Sequence, residues 1–279
     1  MNYRHAFHAG NFADVFKHTA LRALLRALHK KDTPICYVDT HAGIGRYDLA
    51  APEAERNPEF RDGIGRLWED ASLTGVLADY VAAVRALNPD GRLRVYPGSP
   101  TIAHGLLREN DRMVLCELHP DEYRLLRAEF ARDRRVAVHE RDGFEAVKAL
   151  LPPKERRGLV LIDPAYEQVD EFARTLVALT AAQTRWASGV YAVWFPIKNR
   201  AAVMQFYDDV KASGWRKVLA AELLLFPEDT TFRLNGCGMV FINPPWGFDE
   251  TLRAVLPELT RRLARGPGAT SSVDWLVEE

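Results

Sequence analysis

Pro34-Ile35-Cys36-Tyr37-Val38-Asp39-Thr40-His41-Ala42-Gly43-Ile44-Gly45 passes from an apolar run straight into a loop containing two glycines. The first six residues read as a buried strand. The loop lets the backbone pass close to a ligand, because glycine lacks a Cβ and adopts positive φ at little cost. A strand feeding a glycine loop is a ligand-binding arrangement of open α/β sheets. The dinucleotide pattern G-x-G-x-x-G would need a third glycine at position 48, where Asp48 stands, and no helix opens on the loop. A nicotinamide-dependent oxidoreductase is therefore disfavoured.

Before this stretch, Val15, Phe16, Leu21, Leu24, Leu25 and Leu28 fall at helical spacing between Asn11 and Lys30. They predict an amphipathic helix packed on a core. His18, beside Lys17 on the polar side of that helix, reads as a surface histidine. After the loop, Tyr47 to about Val95 is mixed and mostly helical, and Pro97-Gly98-Ser99-Pro100 opens a helix that runs to about Glu109, with Ser99 as N-cap and Pro100 at its first position. If that helix is the one that normally follows the first strand of a doubly wound sheet, residues 47 to 95 are a helical insertion overhanging the binding site.

Strand and helix then alternate. Met113–Glu117, Val136–His139 and Leu159–Asp163 read as strands, separated by helices over Asp121–Ala131 and Phe144–Leu150. A helix from Glu171 to about Ala182, a strand from Val190 to Pro196, a helix near Ala201–Ser213 and two apolar runs, Val218–Phe226 and Cys237–Ile242, complete the pattern. The alternation predicts a doubly wound, mostly parallel α/β sheet, and the last two runs, with no helix between them, an antiparallel pair at its edge. With no internal repeat or Gly/Ser linker, residues 1 to 279 are expected to form one domain.

Composition narrows the class without naming it. The 279 residues are 47% hydrophobic and 27% charged with a formal net charge of -1, so a surface for nucleic acid has to be local. Cys36, Cys116 and Cys237 are far apart in apolar runs and read as buried free thiols in a reduced, cytoplasmic protein. The polar Met1-Asn2-Tyr3-Arg4-His5 start has no signal-peptide core, and no run reaches membrane-spanning length. His18 and His41 lack partners at metal-ligand spacing, so no metal is expected. No G-x-S-x-G elbow supports Ser-His-Asp hydrolysis.

The chemistry is concentrated at strand ends. The glycine loop, Glu117, Asp142-Gly143 and Asp163 end four successive strands, all on the carboxyl edge where open sheets bind ligands. Glu117 stands where such folds put an acid to accept two ribose hydroxyls, and Asp142 is placed to hold an adenine amine while Gly143 admits the ring. Asp163-Pro164-Ala165-Tyr166 sets a carboxylate, a stiff turn and an aromatic ring at the end of Gly158–Ile162. By itself the tetrapeptide reads sooner as a strand followed by a Pro turn capped by Asp163. In company with the other three sites it suits methylation of an exocyclic amine, whose delocalised lone pair makes it a poor nucleophile unless a carboxylate holds its hydrogens.

Asp163-Pro164-Ala165-Tyr166 resembles the Asp/Asn-Pro-Pro-aromatic motif of class I S-adenosylmethionine-dependent methyltransferases. Nearly the whole chain resembles the bacterial J-type 23S ribosomal RNA adenine-N6 methyltransferases, through Tyr3 to Asn11, Asp39 to Gly43, Tyr96 to Pro100, Glu117 to Pro120, Gly158 to Tyr166, and Asn243-Pro244-Pro245-Trp246. The resemblance implies a class I methyltransferase fold and transfer of methyl from S-adenosyl-L-methionine to the N6 of an adenine in 23S ribosomal RNA. His18, His41, Ser99, Glu117, Asp142, Gly143 and Asp163 are the implied donor contacts, Asp163 the implied catalytic acceptor and Tyr3 the implied RNA contact. The mixture of Tyr3, Arg4 and His5 fits clamping of an RNA strand, and Tyr166 is expected to stack on the extruded base. The departure is Ala165, where the motif carries a second proline; losing that ring is expected to loosen the turn that aims Tyr166.

A monomer acting on RNA, without membrane association, is the expected state. A DNA adenine-N6 methyltransferase and a non-catalytic RNA-binding module on the same fold are the alternatives. Asn243-Pro244-Pro245-Trp246 matches the amino-methylating pattern better than Asp163 to Tyr166, but it ends the last predicted strand. It is expected to be a structural turn with Trp246 packed.

Overall fold

The computed structural model describes residues 4–227 and 234–278. After a 3-10 turn at His5–Phe7 come α1 (Phe12–Leu28), β1 (Cys36–Asp39) and β2 (Arg46–Asp48), then α2 (Pro52–Arg56), α3 (Gly65–Trp68), α4 (Gly75–Arg85), β3 (Val95–Pro97) and α5 (Ser99–His104). Alternation follows with β4 (Arg112–Glu117), α6 (Pro120–Glu129), β5 (Val136–Glu140), α7 (Gly143–Leu150), β6 (Gly158–Ile162), α8 (Glu171–Trp186), β7 (Val190–Ile197) and α9 (Arg200–Ala212). The chain closes with β8 (Val218–Leu224), β9 (Gly236–Ile242), α10 (Phe248–Leu263) and β10 (Thr270–Val277).

Eight strands form one sheet in the order β10-β8-β9-β7-β6-β1-β4-β5. The pairs from β7 through β5 are parallel, as strand-helix alternation requires. Successive side chains point to opposite faces: Tyr37, Leu159 and Leu161 join the apolar layer under α1, α4 and α10, whereas Val38, Val160 and Ile162 join the layer under α7, α8 and α9. Both layers are fully buried, which is why these strands read as continuous apolar runs. Among the described residues no helix is long and apolar enough to cross a membrane.

The far side of the sheet differs from the expectation. β8 and β9 are indeed antiparallel to each other, but β9 also pairs antiparallel with β7, and the edge belongs to β10, antiparallel to β8. β10 was invisible as an apolar run because only Val273 of its eight residues is buried, the rest facing solvent or lying half-covered at the sheet margin.

Between β2 and β3, which pair with each other, lie α2, a second 3-10 turn, α3 and α4. Leu77, Tyr80, Val81 and Val84 of α4 are buried in the same apolar layer as Val15, Phe16 and Leu21 of α1. α5 is shorter than expected, ending at His104 where Gly105 takes the C-cap. Its N-cap is Gly98, not Ser99; the Ser99 hydroxyl turns inward and donates to Asp39 Oδ2 at 2.7 Å.

Asn243-Pro244-Pro245-Trp246 follows β9, whose Ile242 pairs with Tyr191 near the start of β7. Being antiparallel, β9 ends at the amino edge of the parallel strands, opposite Asp163. Asn243 has φ 52, a left-handed conformation, and its side-chain amide donates to the carbonyls of Ala187 and Gly189, both at 2.8 Å. The turn is structural, as its position indicated, but Trp246 is 92% exposed and is not packed.

Candidate active site

A cleft of about 530 Å³ opens at the carboxyl edge of β1, β4, β5 and β6. His5, His18, His41, Ser99, Glu117, Asp142, Gly143, Asp163 and Tyr166 all line it, so the site residues read from separate stretches of sequence converge. Arg4 is exposed and is not part of the wall; Tyr3 lies outside the described residues.

On one side the first-strand loop and Glu117 are locked together. Glu117 Oε2 accepts from Gly43 N and Oε1 from His119 N, both at 2.8 Å, which fixes a nearly buried carboxylate at the cleft. Gly43 has φ 61, and a Cβ there would lie 2.3 Å from the Tyr47 hydroxyl. At Gly143 a Cβ would meet Thr40 O at 2.1 Å, so glycine is required for α7 to start against the β1 loop.

Asp142 caps α7, its Oδ1 accepting from Phe144 N at 2.8 Å, while its Oδ2 accepts from Arg174 Nη2 at 2.9 Å. The same guanidinium lies 4.4 Å over the Phe144 ring. Arg174, on α8, was not legible in the sequence as the partner of that carboxylate. His41 packs edge-on against Phe144, and burial pushes its imidazole down to about 4.

Asp39 is fully buried behind the loop and accepts from the Tyr37 hydroxyl at 2.6 Å as well as from Ser99. Burial raises its carboxyl to about 6 against the opposing effect of those hydrogen bonds, with Asp163 adding to the rise. Ser99 is thus committed to Asp39, a partner that the sequence did not indicate.

On the other side, Asp163 Oδ2 accepts from Lys17 Nζ at 2.6 Å. The ammonium also lies 2.9 Å from Asp14 Oδ1, and all three side chains are nearly buried. Burial pushes the Lys17 ammonium down, but Asp14 and Asp163 outweigh it and hold it well above its ordinary value. Asp14 experiences the converse: burial favours its neutral form, yet His5, Lys17 and His18 keep the carboxyl well below the usual range. Gly10 N and His5 Nε2 also contact its Oδ2, at 2.9 and 2.8 Å.

Lys17 and Asp14 were missed because charged residues one helical turn apart normally form a solvated pair. The packing of α1 against α4, α5 and α10, with Lys17 reaching Asp163 just past β6, buries them. The same packing corrects His18, which is fully buried in the cleft wall and is not a surface residue.

Tyr166 adopts φ 52, uncommon for a bulky residue and characteristic of functional turns. Its hydroxyl donates to Trp194 O at 3.0 Å and its ring meets Phe172 and Trp194 at centroid distances of 5.0 and 5.9 Å. These contacts hold the ring without a second proline at Ala165.

A doubly wound sheet with parallel β5-β4-β1-β6-β7, a reversed β9 beyond them and a cleft of acids and glycines at the carboxyl edge defines a class I methyltransferase fold. Residues 32–277 match the family described as ribosomal RNA large subunit methyltransferase D, RlmJ. The chain is 43% identical to ribosomal RNA large subunit methyltransferase J of Escherichia coli over 279 residues, and 43% identical to the Haemophilus influenzae protein of the same name over 280 residues, covering 100% of each chain in both cases. The crystal structure of protein LPL1258 from Legionella pneumophila has a TM-score of 0.89 at 38% identity, covering 96% of this chain and 98% of that one. The chain belongs to the large-subunit ribosomal RNA methyltransferase J family.

Proposed function

We propose that the protein transfers a methyl group from S-adenosyl-L-methionine to the exocyclic N6 of an adenine in 23S ribosomal RNA. The observation that carries this reading is the setting of Asp163. One carboxylate oxygen is occupied by Lys17, while Oδ1 has no hydrogen-bond donor among the described residues and is available to an amine.

The cleft fits the methyl donor. Glu117 presents a fixed carboxylate for ribose hydroxyls, Leu118 and Phe144 line the cleft as apolar neighbours for an adenine ring, and the buried Nε2 of His18 is without a partner in the described residues; the missing Cβ of Gly143 makes room for the Thr40 carbonyl and not for the ring. The donor supplies an electrophilic methyl carbon; the remaining work falls to the protein. Asp163 accepts a hydrogen bond from N6, which localises the nitrogen lone pair, and takes the proton as the N–C bond forms and the donor's sulfur–methyl bond breaks, its electron pair staying on sulfur. The free amine is too weak an acid for prior deprotonation. Lys17 fixes the orientation of the carboxylate, and Tyr166 offers a ring against which the extruded base stacks.

His5, hydrogen-bonded to Asp14, lines the cleft and is available to the acceptor strand there. Arg4 is exposed and belongs to the acceptor side only as a contact made outside the cleft.

Asp163→Ala is the direct test, with labelled donor and naked large-subunit rRNA, assembled subunits and DNA as parallel acceptors. Transfer to rRNA should fall by about 10²-fold or more while donor affinity changes less, since a positioned acid-base group acts chiefly in the transition state. A variant keeping more than roughly a tenth of the turnover, or a wild-type preference for DNA, would overturn the assignment.

A further inference from the structure

His18 Nε2 has no hydrogen-bond partner among the described residues; Asp14 Oδ1, at 3.9 Å, is beyond hydrogen-bond range. The ring's Nδ1 lies 2.8 Å from the Tyr96 hydroxyl, which lies 2.9 Å from that of Tyr80. All three side chains are fully buried, and Tyr80 comes from α4 of the insertion.

Burial pushes the His18 imidazole down to about 3 and both phenols well above their ordinary value, so the chain holds a neutral ring and two intact hydroxyls. Their hydrogens can be counted. If Nδ1 carries the imidazole proton and donates to Tyr96, one of the two hydroxyl hydrogens has no acceptor, and a bare Nε2 lone pair faces the Asp14 carboxylate. A stranded buried hydroxyl is costly. If Nε2 carries the proton, Tyr80 donates to Tyr96, Tyr96 donates to Nδ1, and neither hydroxyl is stranded. The single donor left over is Nε2–H, a buried atom of a residue that lines the cleft.

The strand order orients the proposed donor relative to it. Along the sheet edge Asp142, Glu117, the β1 loop and Asp163 follow one another. With adenine and ribose against Asp142 and Glu117, the methionyl end of the donor reaches the β1–β6 side, where Lys17, next to His18 on α1, touches Asp163. That end carries an ammonium and a carboxylate, and only the carboxylate accepts a hydrogen bond from N–H.

We propose that Tyr96, backed by Tyr80 of the insertion, is a positioning residue that holds His18 as the Nε2–H tautomer, so that the ring donates to the methionyl carboxylate of the methyl donor. This rests on the donor site proposed above and gives the insertion a part in it.

The test uses the full chain. Long-range nitrogen–proton spectra of the His18 ring should show the neutral Nε2–H form throughout about pH 5 to 8. Calorimetry should show that Tyr96→Phe weakens S-adenosylmethionine about tenfold, the order of one hydrogen bond to a charged group. Its affinity for decarboxylated S-adenosylmethionine should match wild type. Tyr80→Phe, which leaves the Tyr96–His18 link in place, should show a smaller loss with the same selectivity.

An Nδ1–H or protonated ring in the wild-type protein would overturn the proposal whatever the variants do. So would an equal loss for both compounds, which would make Tyr96 merely structural, or no loss at all. If wild type bound neither compound, the donor reading itself would fall, and the ring spectrum would still report the tautomer separately.

Discussion

The ammonium of Lys17 sits 2.6 Å from Oδ2 of Asp163, joining the first helix to the end of β6 across 146 residues of sequence. Asp14 shares the same ammonium, so one buried cation lies between a buried carboxylate and a largely covered one. Such a group is held by its own completeness, since removing one member leaves uncompensated charge in a region of low polarity.

Lys17→Met should therefore lower methyl transfer by about 10²-fold or more, with a smaller change in donor affinity. Without the cation, Asp14 loses an interaction that holds its carboxyl low. The acid limb of the pH–rate profile should then move to higher pH. An unchanged profile would show that Lys17 does not govern the charge at the site.

Glu117→Ala should weaken S-adenosylmethionine binding by about tenfold or more, because in the proposed donor site two hydroxyls would lose a charged acceptor that the backbone of Gly43 and His119 holds in place. Glu117→Gln, which retains one acceptor oxygen, should fall between. Calorimetry giving wild-type affinity for the alanine variant would remove Glu117 from the donor site.

The surface tryptophan leads to a contrasting expectation. Trp246 is 92% exposed, so Trp246→Ala should change stability by no more than about 0.5 kcal/mol and leave specific activity unaltered. Thermal melting and the transfer assay together check this. A folded but inactive variant would return the Asn243 tetrapeptide to the catalytic argument.

Asp39 supplies a pH prediction. Its carboxyl is raised to about 6 in the fold against an ordinary value near 3.8, so its stabilising contribution is complete below about pH 4 and is lost as pH rises through 6. Asp39→Asn imitates the protonated form. Relative to wild type it should gain stability between pH 4 and pH 7, by up to about 3 kcal/mol, with the advantage disappearing at the acid end. Urea unfolding at several pH values measures it, and a difference that does not vary with pH would refute the raised carboxyl.

The strand-end acids, the glycine loop and the parallel order were legible in the sequence because each is a local pattern. Apolar runs of strand length alternate with helical spacing, and in a doubly wound sheet every such strand delivers its carboxyl end to the same edge. Tyr37 and Val38 could be read as buried from their neighbours alone, and Glu117, Asp142 and Asp163 could be placed by counting strands. The tertiary structure decided what no local pattern encodes. Lys17, Asp14 and His18 lie on a helix whose sequence reads as polar on that side, and they are buried only in the assembled fold, where α1 packs against α4, α5 and α10 and Lys17 reaches Asp163. Ser99 left its expected capping role for Asp39, 60 residues away, and β10 reached the sheet margin with one buried residue and no apolar run. Trp246 shows the converse, a large apolar side chain left in solvent because β9 runs antiparallel and delivers its turn to the edge away from the cleft. The desolvation that fixes these groups' charges is a property of the assembled layers, so residue type and spacing alone do not determine it.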